Sequence, residues 1–269
     1  MMDKHIIRLI ATIISVSALL TSCGKEETQI LADVDDVCSV MDDQVFIDYC
    51  LREFDLDHDG KVSMQEAAQV NVMEIPSGSP FDQWHSIKGI GYFKTLTKLN
   101  LYDTQVSELD LSHNLALTML NLGRNPISKL NVTKNLALTD LRCLYSQLTS
   151  LDISNNKALK DLNCSYNQFT KLDVSKNTAL TELVCASNKL TKLDVSKNPN
   201  LSTLWCHDNR LTSLDVSKNS LLKTLYCGRQ EETVTVYYSN GQPISEWSSK
   251  PTAINIDNIL NTNVIWVQK

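Results

Sequence analysis

Apolar residues recur through the middle of the chain with a period of 21 residues. Leucine opens each repeat, and positions 4, 6, 11, 14 and 16 are also apolar in every complete repeat. The repeat LTELVCASNKLTKLDVSKNPN, at residues 180–200, is representative. A strict period of this length is the signature of a solenoid, in which each repeat forms one coil of a stack. The opening leucines are Leu96, Leu117, Leu138, Leu159, Leu180, Leu201 and Leu222.

The spacing within a repeat predicts short parallel strands. Positions 4 and 6 alternate with outward side chains as a strand does, and positions 14 and 16 do so again on the far side. Twenty-one residues leave no room for a helix of ordinary length, so each coil is predicted to contain a strand, a turn, a second extended segment and a turn. Neighbouring coils then lie about 4.8 Å apart. We therefore predict a mainly β solenoid of shallow curvature.

Asparagine occupies two further columns of the repeat. The turns leave backbone groups that a strand ladder does not reach, and an amide side chain offers both donors and acceptors to satisfy them. Both columns are therefore predicted to be structural. Position 19 holds Asn114, Asn135, Asn156, Asn177, Asn198 and Asn219, and position 9 holds Asn125, Asn167, Asn188 and Asn209, with Thr104 and Ser146 in the other coils.

Charge also follows the period. Aspartate recurs at position 15, and lysine is frequent two residues earlier and three residues later. A row of carboxylates at strand spacing suggests a cation ladder, but the lysines favour compensated surface charge.

Five of the eight cysteines lie at position 6, where Leu101 and Leu122 stand in the first two repeats. We predict that these cysteines are reduced core residues, because metal ligands cluster with histidine or closely spaced cysteine rather than in a line. Outside the row, Cys38 and Cys50 either form a disulfide or leave Cys50 facing the core of a helix. The row consists of Cys143, Cys164, Cys185, Cys206 and Cys227.

The repeat pattern LxxLxCxxNxLTxLDVSxN resembles the bacterial leucine-rich repeats of the internalin type. Its closest form is the 21-residue, cysteine-bearing variant that also occurs in surface lipoproteins of Bacteroidetes. The resemblance covers residues 96–229, about half of the chain. It implies a right-handed leucine-rich-repeat solenoid that binds partners on its strand face, although the family's partners are too diverse to transfer.

The N-terminal residues predict a membrane anchor. An apolar run, too short for a comfortable membrane span, follows Lys4 and Arg8 and ends at Leu20-Thr21-Ser22-Cys23, which resembles a bacterial lipobox. We expect a signal peptide at residues 1–22, lipid on Cys23 and a tether at residues 23–36. The charged residues after Cys23 resemble an export signal, which implies a cell-surface position on the outer membrane. An ordinary polar linker, with an inward-facing protein, is the alternative.

A second motif, DLDHDGKVSMQE at residues 55–66, matches the calcium loop of an EF-hand. A helix is predicted before it, from Gln44 to Phe54. A lone extracellular loop of this kind binds calcium with a Kd of about 10⁻⁴ to 10⁻³ M, so one Ca²⁺ is expected to stabilise the N-terminal cap. A regulatory role is the alternative. The expected ligands are Asp55, Asp57, Asp59, the carbonyl of Lys61, Ser63 and Glu66.

Both ends of the solenoid require closure, because terminal coils expose core side chains and strand edges. Residues 37–95 are predicted to form an EF-hand-like N-terminal cap and a degenerate first coil. The repeats then occupy residues 96–230. Residues 231–269 are predicted to form a β-rich C-terminal cap from TVTVYY, a turn at Asn240-Gly241, and NVIWV.

Ligand binding is expected on the outward columns of the strand face, at positions 5 and 7, with Tyr145 and Tyr166 alongside at position 8. These columns are polar in the first coils and aromatic in the last ones. Exposed aromatic side chains on a rigid sheet suit a protein or glycan ligand, while packing beneath the C-terminal cap is the alternative. The candidate residues are Arg142, Tyr145, Tyr166, Trp205, His207 and Tyr226.

Other functional classes find little support in the sequence. No acid, base and nucleophile converge at a recognisable spacing, which argues against an enzyme. The net charge of −6 argues against a nucleic-acid partner. We therefore predict a monomeric, non-enzymatic binding module, with a structural envelope protein as the alternative.

Overall fold

The 21-residue period is built as a stack of coils whose strands pair in parallel and in register. The computed structural model describes residues 31–74, 84–239 and 264–269. Each repeat contributes a three-residue strand from positions 3 to 5, and each strand pairs with the equivalent residues of the next coil. The predicted solenoid of parallel strands is confirmed.

The main sheet contains eight strands in the order β1-β2-β3-β4-β5-β6-β7-β9. Strand β1 belongs to a degenerate coil before the first complete repeat, and its Met73 is buried. The strands are β1 (Val72–Glu74), β2 (Lys98–Asn100), β3 (Met119–Asn121), β4 (Asp140–Arg142), β5 (Asp161–Asn163), β6 (Glu182–Val184), β7 (Thr203–Trp205) and β9 (Thr224–Tyr226).

A second sheet of three strands lies on the other side of the last complete coil. It contains β8 (Ser213–Asp215), β10 (Val234–Tyr238) and β11 (Val264–Gln268), in the order β11-β10-β8. The two closing strands expected from the sequence are present, but they pair in parallel. The predicted turn at Asn240-Gly241 lies outside the described residues.

The core follows the apolar columns of the repeat. The leucines at positions 1 and 4 are at most 2% exposed in every coil of the repeat region, and the position 6 cysteines are buried free thiols. Loss of solvation raises the pKa of Cys143, Cys185 and Cys227 to about 12. The prediction that these cysteines serve as core residues is confirmed.

The N-terminal cap is helical. Helix α1 spans Gln44–Phe54, as predicted, and begins there because the carboxylate of Asp43 accepts hydrogen bonds from the N–H groups of Val45 and Phe46. A second helix, α2, spans Met64–Ala67, and 3₁₀ turns lie at Val37–Val40 and Ile90–Tyr92. None of the helices in the described part of the chain has the length and apolarity needed to cross a bilayer.

Aromatic packing fixes α1 against the first coil. The ring of Trp84 lies 4.8 Å from that of Phe46 and 5.0 Å from that of Tyr49. Cys50 is fully buried on the same helix, and both Cys50 and Cys38 are free thiols. The second alternative for this pair therefore holds, with Cys50 facing the core.

The asparagines at position 19 bind the coils together through their amide N–H₂ groups. Each Nδ2 donates to two backbone carbonyls, 24 and 21 residues earlier, at 2.8–3.1 Å. We expected both the N–H₂ donors and the Oδ1 acceptor of each amide to form hydrogen bonds, and for this column that prediction is wrong. Among the described residues, the buried Oδ1 atoms of Asn114, Asn135, Asn156, Asn177 and Asn198 have no partner.

The asparagines at position 9 use both ends of the amide. In Asn167, Oδ1 accepts from the N–H of Leu148, while Nδ2 donates to the carbonyls of Cys143, Cys164 and Ser165. Gln230 continues the column past the last asparagine, with its Oε1 accepting from the N–H of Leu211. Ser146 interrupts the column, and its Oγ atom is buried with no partner among the described residues.

The aspartates at position 15 are held by their own turns. Each accepts a hydrogen bond, 2.8–3.0 Å long, from the N–H of the serine two residues later. Hydrogen bonds from these serines lower the pKa of Asp152, Asp173 and Asp194. The carboxylates thus order the turn, a role beyond the surface charge compensation expected from the nearby lysines.

Replacing Ser146 by asparagine is expected to stabilise the protein. The longer side chain reaches the positions that Asn167 occupies one coil later, so the free energy of unfolding should rise by about 1 kcal/mol. Denaturant unfolding of Ser146→Asn measures this gain. The matched variant Asn188→Ser removes an equivalent side chain and should lose about 1 to 3 kcal/mol, because it leaves the buried N–H of Phe169 unpaired. Equal stability of all three proteins would contradict this account.

Candidate functional site

The outward side chains of the main sheet divide it into two halves. In-register pairing aligns the position 5 residues of neighbouring strands into one row across the sheet. The row is polar from β2 to β5 and apolar from β6 to β9. Its members are Asn100, Asn121, Arg142 and Asn163 in the polar half, and Val184, Trp205 and Tyr226 in the apolar half.

Position 7 is a packing column rather than a second exposed row. Each large side chain has only small neighbours in this column, and a Cβ atom added to Gly123 would lie 2.7 Å from Leu144 and 2.9 Å from Tyr102. The expectation that this column is exposed is therefore wrong for its small members, because the chain turns away directly after the three-residue strand. The buried members are Gly123, Ser165, Ala186 and Gly228, and Val184 of position 5 is also buried.

Three of the candidate residues form one aromatic cluster at the C-terminal end of the sheet. Trp205 is 40% exposed, and its ring lies 6.5 Å from that of His207. The His207 ring packs at 3.9 Å on Tyr226 and is largely buried. Burial, with a smaller contribution from Arg229, lowers the pKa of His207 to about 4. The ring is therefore neutral near pH 7, and Trp205 is the most exposed member of the cluster.

Tyr145 and Tyr166 form a separate aromatic ridge at position 8. Their rings stack in parallel at 4.0 Å, and they are 44% and 43% exposed. Each has a positive φ, of 52° and 54°, in a turn that recurs in every coil from Asp103 to Arg229. The guanidinium of Arg124 lies 5.4 Å from the centre of the Tyr145 ring. The turn therefore places both tyrosines just beyond the C-terminal ends of β4 and β5.

A cavity of about 360 Å³ opens on the polar half of the sheet. Its walls include three acidic residues that occupy position 3 of adjacent strands, namely Asp140, Asp161 and Glu182. These three acidic residues were not among the site residues predicted from the sequence. Strand alternation puts position 3 on the same face as position 5, so the signal was present in the pattern.

Arg142 belongs to this cavity and pairs with Asp140. Its Nε and Nη2 atoms lie 3.2 and 3.1 Å from the two carboxylate oxygens. Burial, followed by the charge of Asp161, raises the pKa of Glu182. The geometry thus separates Arg142 from the aromatic cluster with which the sequence had grouped it.

The acidic loop of the N-terminal cap gathers three of its six expected calcium ligands. One carboxylate oxygen from each of Asp55, Asp57 and Asp59 lies within 4.8 Å of the other two. Gly60 has a φ of 85°, which suits the sharp turn at this position of the loop. Carboxylate oxygens at this separation fit the donor set that Ca²⁺ prefers.

The fourth carboxylate, Glu66, ties together the two ends of the loop. Its oxygens accept hydrogen bonds from the N–H of Leu56 at 2.7 Å and from the N–H of Ser63 at 2.8 Å. The Ser63 hydroxyl accepts in turn from the Glu66 N–H, which completes a capping box. Hydrogen bonds from Ser63 lower the pKa of Glu66. Glu66 and Ser63 therefore already order the loop and α2, while the Lys61 carbonyl stays a predicted ligand.

The preceding chain closes the back of the loop. The carbonyl of Val62 accepts from the N–H of Val37 at 2.7 Å, and the N–H of Val62 donates to Asp36 at 3.1 Å. Both backbone groups of Val62 are thus paired without a second calcium loop. The predicted lipidation site, Cys23, lies outside the described residues.

Solved structures similar to this chain include two internalins from Listeria monocytogenes. The functional domain of internalin J, which includes a cysteine ladder, is 39% identical with a TM-score of 0.60, over 65% of this chain and 38% of that chain. Internalin C2 is 17% identical with a TM-score of 0.62, over 90% and 100% of the two chains. The fold is the internalin-type leucine-rich-repeat solenoid.

The internalin J domain includes a cysteine ladder, and this chain has a row of buried cysteines, whereas the 17% identity to internalin C2 shows the fold alone. This chain spans 38% of the internalin J domain. No family model and no curated protein matches the sequence.

Proposed function

We propose that this internalin-type solenoid is a non-enzymatic binding module that holds a protein ligand on its strand face. The single observation that carries the proposal is the exposed Trp205 on a sheet whose register is fixed by buried amide ladders. Such a surface offers an aromatic anchor at low entropic cost, which is typical of residues that dominate binding energy. The solenoid fold supports a protein-binding role in general.

The candidate ligand-binding residues contribute in different ways. Trp205 and the stacked pair Tyr145 and Tyr166 offer exposed ring surface to a ligand. Tyr226 and His207 pack behind Trp205 and hold its surroundings rigid. Arg142 contributes a guanidinium that is oriented by Asp140. A glycan ligand is the second candidate, because the stacked tyrosines also suit the apolar faces of sugar rings.

We further propose that the module is anchored in the outer membrane through lipid on Cys23 and faces the cell exterior. The lipobox-like sequence and the charged residues after Cys23 support this placement. The protein would then act as a tethered monomer without a nucleic-acid partner.

One calcium ion in the acidic loop is proposed to stabilise the N-terminal cap. Asp55, Asp57 and Asp59 would hold it with their carboxylates and Lys61 with its carbonyl. When bound, the ion would neutralise three carboxylates that otherwise repel one another. Glu66 and Ser63 would either join the ion or keep their capping hydrogen bonds.

The substitution Trp205→Ala is expected to weaken ligand binding by about thirtyfold, the effect typical of a buried aromatic anchor at an interface. The wild-type protein would first be used to capture extracellular proteins and to probe a glycan array. Affinity of the captured ligand would then be compared with that for the variant. Because Trp205 is partly exposed, the melting temperature should change little.

Leu115→Ala is the matched control for this comparison, since Leu115 is 58% exposed on a turn away from the strand face. It should bind like the wild type. Equal affinity of the wild type and Trp205→Ala would refute the proposed site, and aromatic-dependent binding of sugars alone would favour the glycan ligand.

Calcium should raise the melting temperature of the wild-type protein at millimolar concentration, because the ion binds the folded loop. Asp57→Asn should abolish the increase because it removes one of the expected calcium ligands. Asp57 is exposed, and its substitution leaves the Glu66 capping box in place. Glu66→Ala is less informative because it also removes the cap of α2. Asp48→Asn, at an exposed acid of α1, is the control and should retain the full increase. No calcium effect on the wild type would refute the metal site.

A further inference from the structure

Two carboxylates on the strand face have no ion-pair partner among the described residues. Asp161 and Glu182 occupy paired positions on β5 and β6. The nearest guanidinium, that of Arg142, makes its two-pronged contact with Asp140. Among the described residues, no lysine or arginine nitrogen lies within 4.0 Å of Asp161 or Glu182. One guanidinium thus faces three carboxylates in this cavity, and the centre of the sheet carries net negative charge although the charge of Arg142 also acts on Glu182.

This arrangement is costly for the free protein. Like charges directly opposite each other on neighbouring strands destabilise a sheet. Glu182 is solvent-exposed, but partial desolvation and the charges of Asp161 and Asp140 still raise its pKa, and the charge of Arg142 offsets them only in part. The fold does not require an acidic residue at position 3 of the strand, because the other coils have Lys98, Met119 and Thr203 there.

The cavity around the two carboxylates suits a cationic side chain. Its volume of about 360 Å³ leaves room for a long side chain to enter from solvent. Tyr102 and Leu144 form part of its wall and offer contacts to methylene groups. A guanidinium or ammonium group would find acceptor oxygens on both Asp161 and Glu182.

Trp205 lies two strands away from Asp161, on β7. Trp205 also lies two residues further along its strand than Asp161, so the two positions are about 12 Å apart, and an extended peptide covers that distance in three or four residues. Val184, which pairs with Trp205 on the intervening strand β6, is buried and provides an apolar floor.

We propose that the strand face binds an extended segment of a partner protein that places a lysine or arginine between Asp161 and Glu182. An apolar side chain of the same segment, about three or four residues away, packs against Trp205. This inference rests on the proposed function and specifies the chemistry of its ligand. Charge complementarity selects such a basic segment over a neutral glycan, which has no cation to offer the two carboxylates.

The test uses a phage-displayed library of random 12-residue peptides, selected on the full-length protein in detergent. Enriched peptides should contain a lysine or arginine two to four residues from a large apolar residue. A synthetic peptide from the selection should bind the double variant Asp161→Asn/Glu182→Gln about tenfold or more weakly than the wild type. Its affinity for the wild type should also fall as salt rises.

A second double variant, Asp173→Asn/Asp194→Asn, removes the same number of charges from the opposite side of the coils. Asparagine preserves the turn, because Asn131 already accepts the equivalent hydrogen bond from the N–H of Thr133 in another coil. This control should bind the peptide as the wild type does. Melting temperatures of both double variants would show that they are folded.

The possible outcomes separate this inference from the proposed function. Selected peptides that lack a basic residue, or that bind Asp161→Asn/Glu182→Gln as well as the wild type, would overturn the basic-segment inference. If those peptides still lose affinity for Trp205→Ala, the strand face stands as the binding site. Peptides that are indifferent to all of these substitutions, or a library without enrichment, would overturn both.

Discussion

Closing a coil within 21 residues leaves backbone groups in both turns that no strand can pair, and the whole solenoid depends on how they are satisfied. Here the answer is an amide side chain contributed by the neighbouring coil. Asn167 supplies an acceptor to Leu148 and donors to three carbonyls, and Asn156 donates to the carbonyls of Val132 and Asn135. Because each amide reaches into the coil before it, the same bonds that satisfy a turn also set the register between coils.

Because the register between coils is fixed, side chains at the same repeat position lie next to one another on the surface. A side chain at one outward position lies about 4.8 Å from its equivalents in the coils on either side. Two tyrosines at position 8 thus become a stacked pair, and Asp140, Asp161 and Glu182 become a continuous acidic row. The repeat therefore supplies a frame, and binding chemistry arises where individual coils depart from its consensus. The acidic cavity and Trp205 are the two departures with the most chemical content.

The sequence predicted the core better than it predicted the surface. Periodic leucines and cysteines are dictated by burial, and a helix is expected directly before an EF-hand loop, so simple rules captured both the core and α1. Position 7 was misjudged because its burial depends on whether its neighbours in adjacent coils are large or small, as between Gly123 and Leu144. The parallel pairing of β10 and β11 depends on the strand beside which each one lies, which local turn signals do not encode.

The candidate site shows the same difference between residues that a single repeat reveals and residues whose role depends on neighbouring coils. Trp205 was found because a tryptophan at an outward strand position is conspicuous, whereas Asp161 and Glu182 resemble ordinary surface acids until the strands are placed side by side. Their significance comes from the position of Arg142, which bonds to Asp140 and leaves the next two carboxylates without a cation within ion-pair distance among the described residues. Such competition between neighbours is a property of three-dimensional geometry.

Amide hydrogen exchange tests the central role of the side-chain ladder most directly. The N–H groups of Leu148, Phe169 and Leu190 each donate to an asparagine of the next coil, whereas Ser146 makes no such bond for Ile127. All four residues are at most 1% exposed, so burial does not distinguish them. We expect Ile127 to exchange at least about tenfold faster than the other three, the effect of roughly one hydrogen bond. Uniform protection of all four amides would contradict the account.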